Sequence, residues 1–232
     1  MNATTQVEPG PVRLIPMWVK VSYTAFMCVL VPFYWFSYGL TNFLYFCDLA
    51  LLLTLVALWL ENPLLASIAA VEILLPGTLW VADFITELCG GSITGMTAYM
   101  LNSSTLLFAR ALSGYHGWLP VLLVWVVSRL GYDRRALGVW AVLAWALMLV
   151  SYFCLPAPPA PAATPNLPVN VNYVYGPNDQ QPQTWMAPGL YFGLVMIGFP
   201  LLLFLPAHGI LLKLFGQGEG VKSGGTRQKT PA

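Results

Sequence analysis

Charge is what this chain has least of. Asp, Glu, Lys and Arg make up only 8% of its 232 residues, against 58% hydrophobic residues and a mean hydropathy of +0.70. A soluble domain carries about 25% charged residues. The excess apolar surface therefore fits lipid, and the expected class is an integral membrane protein whose partner is membrane lipid. Ten basic and nine acidic residues leave a net charge of +1 and no basic patch, so no nucleic-acid partner is expected. Histidine is nearly absent, with only His116 and His208. The four cysteines (Cys28, Cys47, Cys89, Cys154) form no CxxC and show no metal-ligand spacing. Neither a metal site, an organic cofactor nor a disulfide framework is expected from that set. Met1 to Pro16 carries the acidic Glu8 and three prolines rather than the basic region of a signal peptide. There is no lipidation motif and no internal repeat.

What is present is a series of apolar runs near the ~20-residue length of a membrane-crossing helix. Six are expected: Met17–Tyr38, Leu40–Leu60, Pro63–Phe84, Ser113–Leu130, Ala136–Leu155 and Ala187–Leu214. The fold expected is an all-α polytopic bundle over residues 17–215. A short N-terminal segment, 1–16, precedes it, and a Gly-, Lys- and Ser-rich tail, 216–232, of disordered composition follows. Two long connections interrupt the bundle, 86–112 and 156–185. The first mixes the Gly90-Gly91 breaker with apolar islands and reads as interfacial or re-entrant. The second has six prolines in its first thirteen residues, which excludes a helix there. Its segment Asn170 to Tyr175 alternates polar and apolar residues, as a short strand or a cap would.

Counting basic residues orients the bundle. Six spans with both termini cytoplasmic put Arg13, Lys20, Arg129, Arg134, Arg135, Lys213, Lys222, Arg227 and Lys229 inside and only Arg110 outside. The positive-inside rule selects that arrangement, which suits a bacterial inner membrane.

Orientation turns sequence position into depth. Cys47 and Asp48 fall about 10–12 Å below the outer end of the second span at ~1.5 Å per residue. His116 starts the fourth span from the outside, Asp83 ends the third there, and the loop bearing Asn170, Asn172 and Tyr173 is outer as well. Glu72 sits near mid-depth and His208 towards the inner side. Thr41, Tyr45 and Asp48 recur at i, i+4 and i+7, as do Glu72, Pro76 and Asp83 at i, i+4 and i+11, which places each set on one helix face. Pro76 and Pro120 free the carbonyls of Glu72 and His116 and imply a protein-lined or watered cavity.

An ionisable residue at membrane depth is a functional candidate by default. A Cys47 thiol activated by His116, with Asp48 orienting the imidazole, fits acyl transfer or ester hydrolysis on a lipid. Asn172 or a freed backbone donor would then stabilise the oxyanion, and Tyr45, Glu72, Asp83, Asn172 and Tyr173 would line the substrate. The alternatives stay open. Asp48, Glu72, Asp83 and His116 equally fit a transporter or small-molecule-binding protein. In a non-catalytic structural protein Cys47 would simply pack as a small hydrophobe.

Three ordered segments carry a family likeness: Phe43 to Ala50 with Cys47-Asp48, Ser113 to Pro120 with His116, and Asn170-Val171-Asn172-Tyr173. They resemble the landmarks of YwaF-like bacterial membrane proteins. That group has multi-span phospholipid acyltransferases and androgen-induced-type fatty-acid-ester hydrolases as distant relatives. The resemblance implies a nucleophile on one span, at Cys47, and a histidine on a later one, at His116. Tyr45 stands where many members of the pattern have a histidine.

Overall fold

The computed structural model describes residues 14–178 and 181–216. The early segment with Glu8 and Arg13, and the tail with Lys222, Arg227 and Lys229, lie outside the described residues. Among those described the chain is helical throughout, without a strand. Five helices are long and apolar enough to cross a membrane: Met17–Tyr38 (α1), Pro63–Leu88 (α3), the run Leu107–Leu130, Ala136–Cys154 (α6) and the run Pro188–Phe215. A sixth apolar helix, Phe46–Leu60 (α2), is shorter.

α3 is the axis of the bundle and the most buried of the long helices. It packs against α2, against Tyr115–Leu130 (α5), against α6 and against the last helix, Leu205–Phe215 (α8). Small residues let it do so: Ala66, Ser67, Ala69, Ala70 and Gly77 are all buried on it. In lipid, where tails are as apolar as leucine, such close approach is what favours helix association. The entry to α3 is fixed locally. Pro63 occupies the first helical position, and the Asn62 side chain accepts the Leu65 amide at 3.0 Å.

Four boundaries differ from the sequence expectation. The second span is not one helix: Leu40–Leu44 is a 3₁₀ turn after Gly39, Tyr45 is extended, and α2 begins only at Phe46. Fifteen residues give about 22 Å of helix, short of a ~30 Å hydrocarbon core. The stripe Thr41, Tyr45, Asp48 is therefore not a helix face. α3 continues past Phe84 to Leu88. The connection expected to reach Leu112 ends sooner, because Leu107–Ser113 (α4) runs into α5 across Gly114. In the last span, Pro188–Phe199 (α7) and α8 are joined by a π-helical turn, Pro200–Phe204, where the Leu205 amide reaches back five residues to the Pro200 carbonyl. Pro206 has no N–H to continue the ordinary ladder, and widening the turn absorbs the fault. The alternating segment is a cap rather than a strand: Asn170, Asn172 and Tyr173 all have φ between 50° and 59°, which extended chain cannot accommodate.

The two ends of the bundle differ. One carries the 3₁₀ turn, the 89–106 connection and the proline-rich loop. The other has short turns and holds Lys20, Arg129, Arg134, Arg135 and Lys213, leaving Arg110 the one basic residue at the loop-rich end among the described residues. At the short-turn end Glu61 acts as a clamp. Its carboxylate accepts the Leu14 amide at 2.9 Å, the Ile15 amide at 3.2 Å and Lys20 Nζ at 2.7 Å. Tyr132 and His208 meet there too, with 2.6 Å between the hydroxyl and Nδ1.

Partial burial alone would raise the Glu61 carboxyl, but the bonds from Lys20, Leu14 and Ile15 outweigh it and hold it below the ordinary value. A depressed folded value makes the stabilisation complete above the unfolded carboxylate range of about 4.3 and lost as pH falls from there through the lower folded value. We expect Glu61→Gln to unfold at a lower temperature than wild type at neutral pH. That gap should close as pH drops below about 4. Thermal unfolding of the detergent-solubilised protein across pH measures it, and a pH-independent gap contradicts the clamp.

Candidate functional site

The polar centre of the bundle is built on Asp48. It lies in the first turn of α2 and is 3% exposed. Asn42, in the 3₁₀ turn, donates Nδ2 to Oδ2 at 2.6 Å, and Tyr115 of α5 donates its hydroxyl to Oδ1 at 3.1 Å. The late start of α2 has a chemical consequence here. It puts a helix N-terminus, with its positive dipole end, beside the carboxylate. Irregular backbone at membrane depth is tolerated only where protein or a cavity satisfies it. Asn172 does that here: its Oδ1 accepts the Phe46 amide at 3.0 Å, and its Nδ2 donates to the Leu44 carbonyl at 3.0 Å and to Ser151 Oγ at 3.3 Å.

Cys47 and Glu72 complete the cluster. The Cys47 thiol is half-buried, near the Tyr115 hydroxyl and close to the charges of Asp48 and Glu72. The other three cysteines are exposed, and all four are free. Glu72 projects from α3, is 1% exposed, and lies near enough to Asp48 for their charges to interact. Its Oε2 is buried with no hydrogen-bond partner. An unmatched acid oxygen inside a bundle is costly enough to need an explanation.

His116 lies beside the cluster, on the far face of Tyr115. Its ring is stacked between Trp80 (5.0 Å, 12°) and Tyr115 (4.1 Å, 22°), and Nδ1 is 2.8 Å from the Ser113 carbonyl. A carbonyl only accepts, so Nδ1 carries the proton and Nε2 is the free lone pair of the neutral ring. Among the described residues no hydrogen bond joins His116 to Cys47 or to Asp48. The carbonyl freed by Pro120 faces α3 at Gly77, where a Cβ would lie 3.0 Å from it.

The remaining candidates sit at the loop-rich end in supporting positions. Asp83 Oδ1 accepts the amides of Ile93, Thr94 and Gly95, and Oδ2 accepts the amide and hydroxyl of Thr97. Both oxygens are thus committed to folding the connection after α3. The Tyr45 hydroxyl donates to the Val169 carbonyl, and the Tyr173 carbonyl accepts the Tyr191 hydroxyl. A cavity of about 240 Å³, lined by Ser37, Tyr38, Thr164, Pro165, Asn166 and Leu167, opens at this end. None of the residues expected from sequence to form the site lines it.

Sequence reasoning missed Asn42 and Tyr115, the two donors to Asp48. Asn42 carried a signal, as an amide lying within two helical turns of a buried acid in an otherwise apolar run. Tyr115 carried none beyond its place next to His116, since tyrosine near a span end reads as interfacial belt. Among the described residues no group of three or more His, Cys, Asp or Glu side chains is arranged to hold a metal. Compared with protein-family profiles, curated proteins and solved structures, the chain matches none.

Proposed function

We propose that the protein is a six-crossing inner-membrane protein with both termini cytoplasmic, in which Asp48 and Glu72 form a binding site for a small cation that it carries across the bilayer. The observation that carries this reading is Glu72 Oε2: almost fully buried, without a partner, and next to a second carboxylate. Intramembrane acids mark ion and proton pathways because they are retained against a steep insertion penalty. The interrupted second span adds to it, since broken helices at membrane depth are where carriers hold their ligands. The crossing number takes α2 as the shortened crossing, its missing turns replaced by the Leu40–Leu44 turn and the loop behind it. The cytoplasmic assignment rests on the five basic residues gathered at the short-turn end.

A second reading, acyl transfer on a lipid from Cys47, is favoured by Tyr115, which holds its hydroxyl near the thiol and stacks its ring on His116. The likeness to YwaF-like proteins and their acyl-transferring relatives points the same way.

One experiment separates the two. In proteoliposomes holding a trapped pH-sensitive dye, with a potential imposed by potassium and valinomycin, the wild-type protein should accelerate counter-ion flux at least tenfold over empty vesicles. Glu72→Gln should return the rate to the vesicle background while Cys47→Ala leaves it intact. Absence of flux, together with labelling by an acyl-mimetic probe that disappears in Cys47→Ala and His116→Ala, overturns the carrier reading in favour of the second.

A further inference from the structure

Asp48 and Glu72 differ in how their charge is met. Asp48 has an amide donor, a phenol donor and the N-terminus of α2 beside it. Glu72 has none of these. It emerges from the interior of α3, where backbone amides are already paired, and its Oε2 meets no donor. From α2 it faces Asp48 and Cys47, both negative or neutral, and α5 offers Tyr115 and the neutral ring of His116. α6 contributes Tyr152 and Cys154 only near its loop-rich end. On α8, His208 is bound to Tyr132 at the opposite end and Lys213 is exposed. The two ion pairs among the described residues, Lys20–Glu61 and Asp133–Arg135, lie elsewhere. Among the described residues no cation of the protein's own neutralises Glu72.

Two kinds of cation suit such an acid. A metal ion needs several oxygens around it: six to eight for calcium, an octahedron for magnesium. Among the described residues Asp48 and Glu72 belong to no group of three His, Cys, Asp or Glu side chains placed to hold a metal, and the neighbouring Cys47 supplies no oxygen. A proton needs a single oxygen and no room. It also removes the charge that has no counterpart, which is the cheapest way to keep a lone carboxyl in a dry interior.

We propose that Glu72 is the proton-binding group of this protein, holding its proton at Oε2, with Asp48 as a fixed neighbouring negative charge positioned by Asn42 and Tyr115. On release, the Glu72 O–H bond breaks, the electron pair stays on the carboxylate, and the proton passes to bulk water when the carrier opens the site to one side of the membrane. The resulting second charge beside Asp48 raises the energy of the empty state and drives reloading. The transport role of this proton rests on the carrier reading above; its residence on Glu72 does not.

The test is carbodiimide modification, which takes protonated carboxyls in apolar surroundings, on the full chain in lipid nanodiscs, mapped by peptide mass spectrometry at stepped pH. We expect the adduct on Glu72, falling at least tenfold from acid to alkaline pH, and lost in Glu72→Gln. Asp48→Asn should keep the Glu72 adduct but displace its pH midpoint by about one unit or more, because a neighbouring charge has gone. Wild-type mapping stands without any variant, so a misfolded mutant does not decide the outcome. An adduct confined to Asp48, a pH-independent Glu72 adduct, or protection of Glu72 by sodium at fixed pH overturns the assignment. A Glu72 adduct without flux in proteoliposomes leaves the proton site standing and removes the carrier reading. Flux without the adduct does the reverse.

Discussion

Asn172→Ala should cost this protein about 3 kcal/mol or more, the largest loss expected from a single side chain outside the apolar core. Asn172 is 3% exposed and holds a left-handed backbone, φ 59°, ψ 25°. Its amide satisfies both the Phe46 N–H and the Leu44 carbonyl, the pair exposed where α2 starts late, and it reaches Ser151 on α6. Alanine strands both backbone groups at a depth where water is not at hand, each at about 1–3 kcal/mol. A Cβ without a polar group at that φ adds roughly 1–2 kcal/mol. Asn172→Gly keeps the backbone and loses only the bonds, so it should fall between wild type and alanine. Unfolding in mixed dodecylmaltoside and dodecyl sulfate micelles reads the series. A loss within about 0.5 kcal/mol of wild type for alanine, the range of an ordinary surface change, would show that the loop does not hold the start of α2.

That asparagine also shows where the sequence was legible and where it was not. The apolar runs marked the helices to within about six residues at either end, because lipid demands continuous hydrophobicity and imposes little else. The same demand hides the break at Leu40–Leu44. Thr41 and Asn42 interrupt the run too briefly to announce a break, and the 3₁₀ turn is held by the Asn42–Asp48 bond and by the remote Asn172 amide. Asp48 and Glu72 were visible as buried acids, since nothing but a partner or a ligand explains an acid at that depth. Their partners were not. Tyr115 and His116 are adjacent in sequence but about 100° apart on α5, so the residue with the more reactive side chain faces Trp80 and Ser113 while its plainer neighbour reaches Asp48 and Cys47. Asp83 illustrates the limit of helical spacing. It follows Glu72 at i+11, yet its position near the end of α3 lets it gather the amides of 93–97 instead of facing the interior cluster. Spacing gives a face; it does not say what a loop will bring to it.

Gly77→Ala should destabilise the bundle by about 1–3 kcal/mol, the cost of adding one carbon where two helices already touch. A Cβ built on Gly77 lies 2.6 Å from Pro120 Cγ and 3.0 Å from the His116 carbonyl oxygen. Neither neighbour is free to yield. The Pro120 ring can move its Cγ only by changing pucker, and the carbonyl belongs to the backbone of α5. The methyl therefore has to push α3 and α5 apart along their whole contact, the most extensive in the fold. The two prolines sharpen the constraint. Pro120 removes the hydrogen bond that would have occupied the His116 carbonyl, leaving that oxygen directed at Gly77 in place of an amide one turn on. Pro120→Ala in the same chain removes the nearer obstacle and should restore part of the loss, with a coupling of about 1 kcal/mol in a double-mutant cycle. Trp80 reports the displacement independently, because its ring is stacked on His116 at the crossing. Its fluorescence should shift in Gly77→Ala and return towards wild type in the double variant. Equal unfolding of Gly77→Ala and wild type, or purely additive effects of the two substitutions, would mean that α3 and α5 are held by contacts elsewhere. Glu72 and Tyr115 stand on those two helices, each five residues from the crossing, so a displacement of α3 against α5 displaces Glu72 relative to Tyr115.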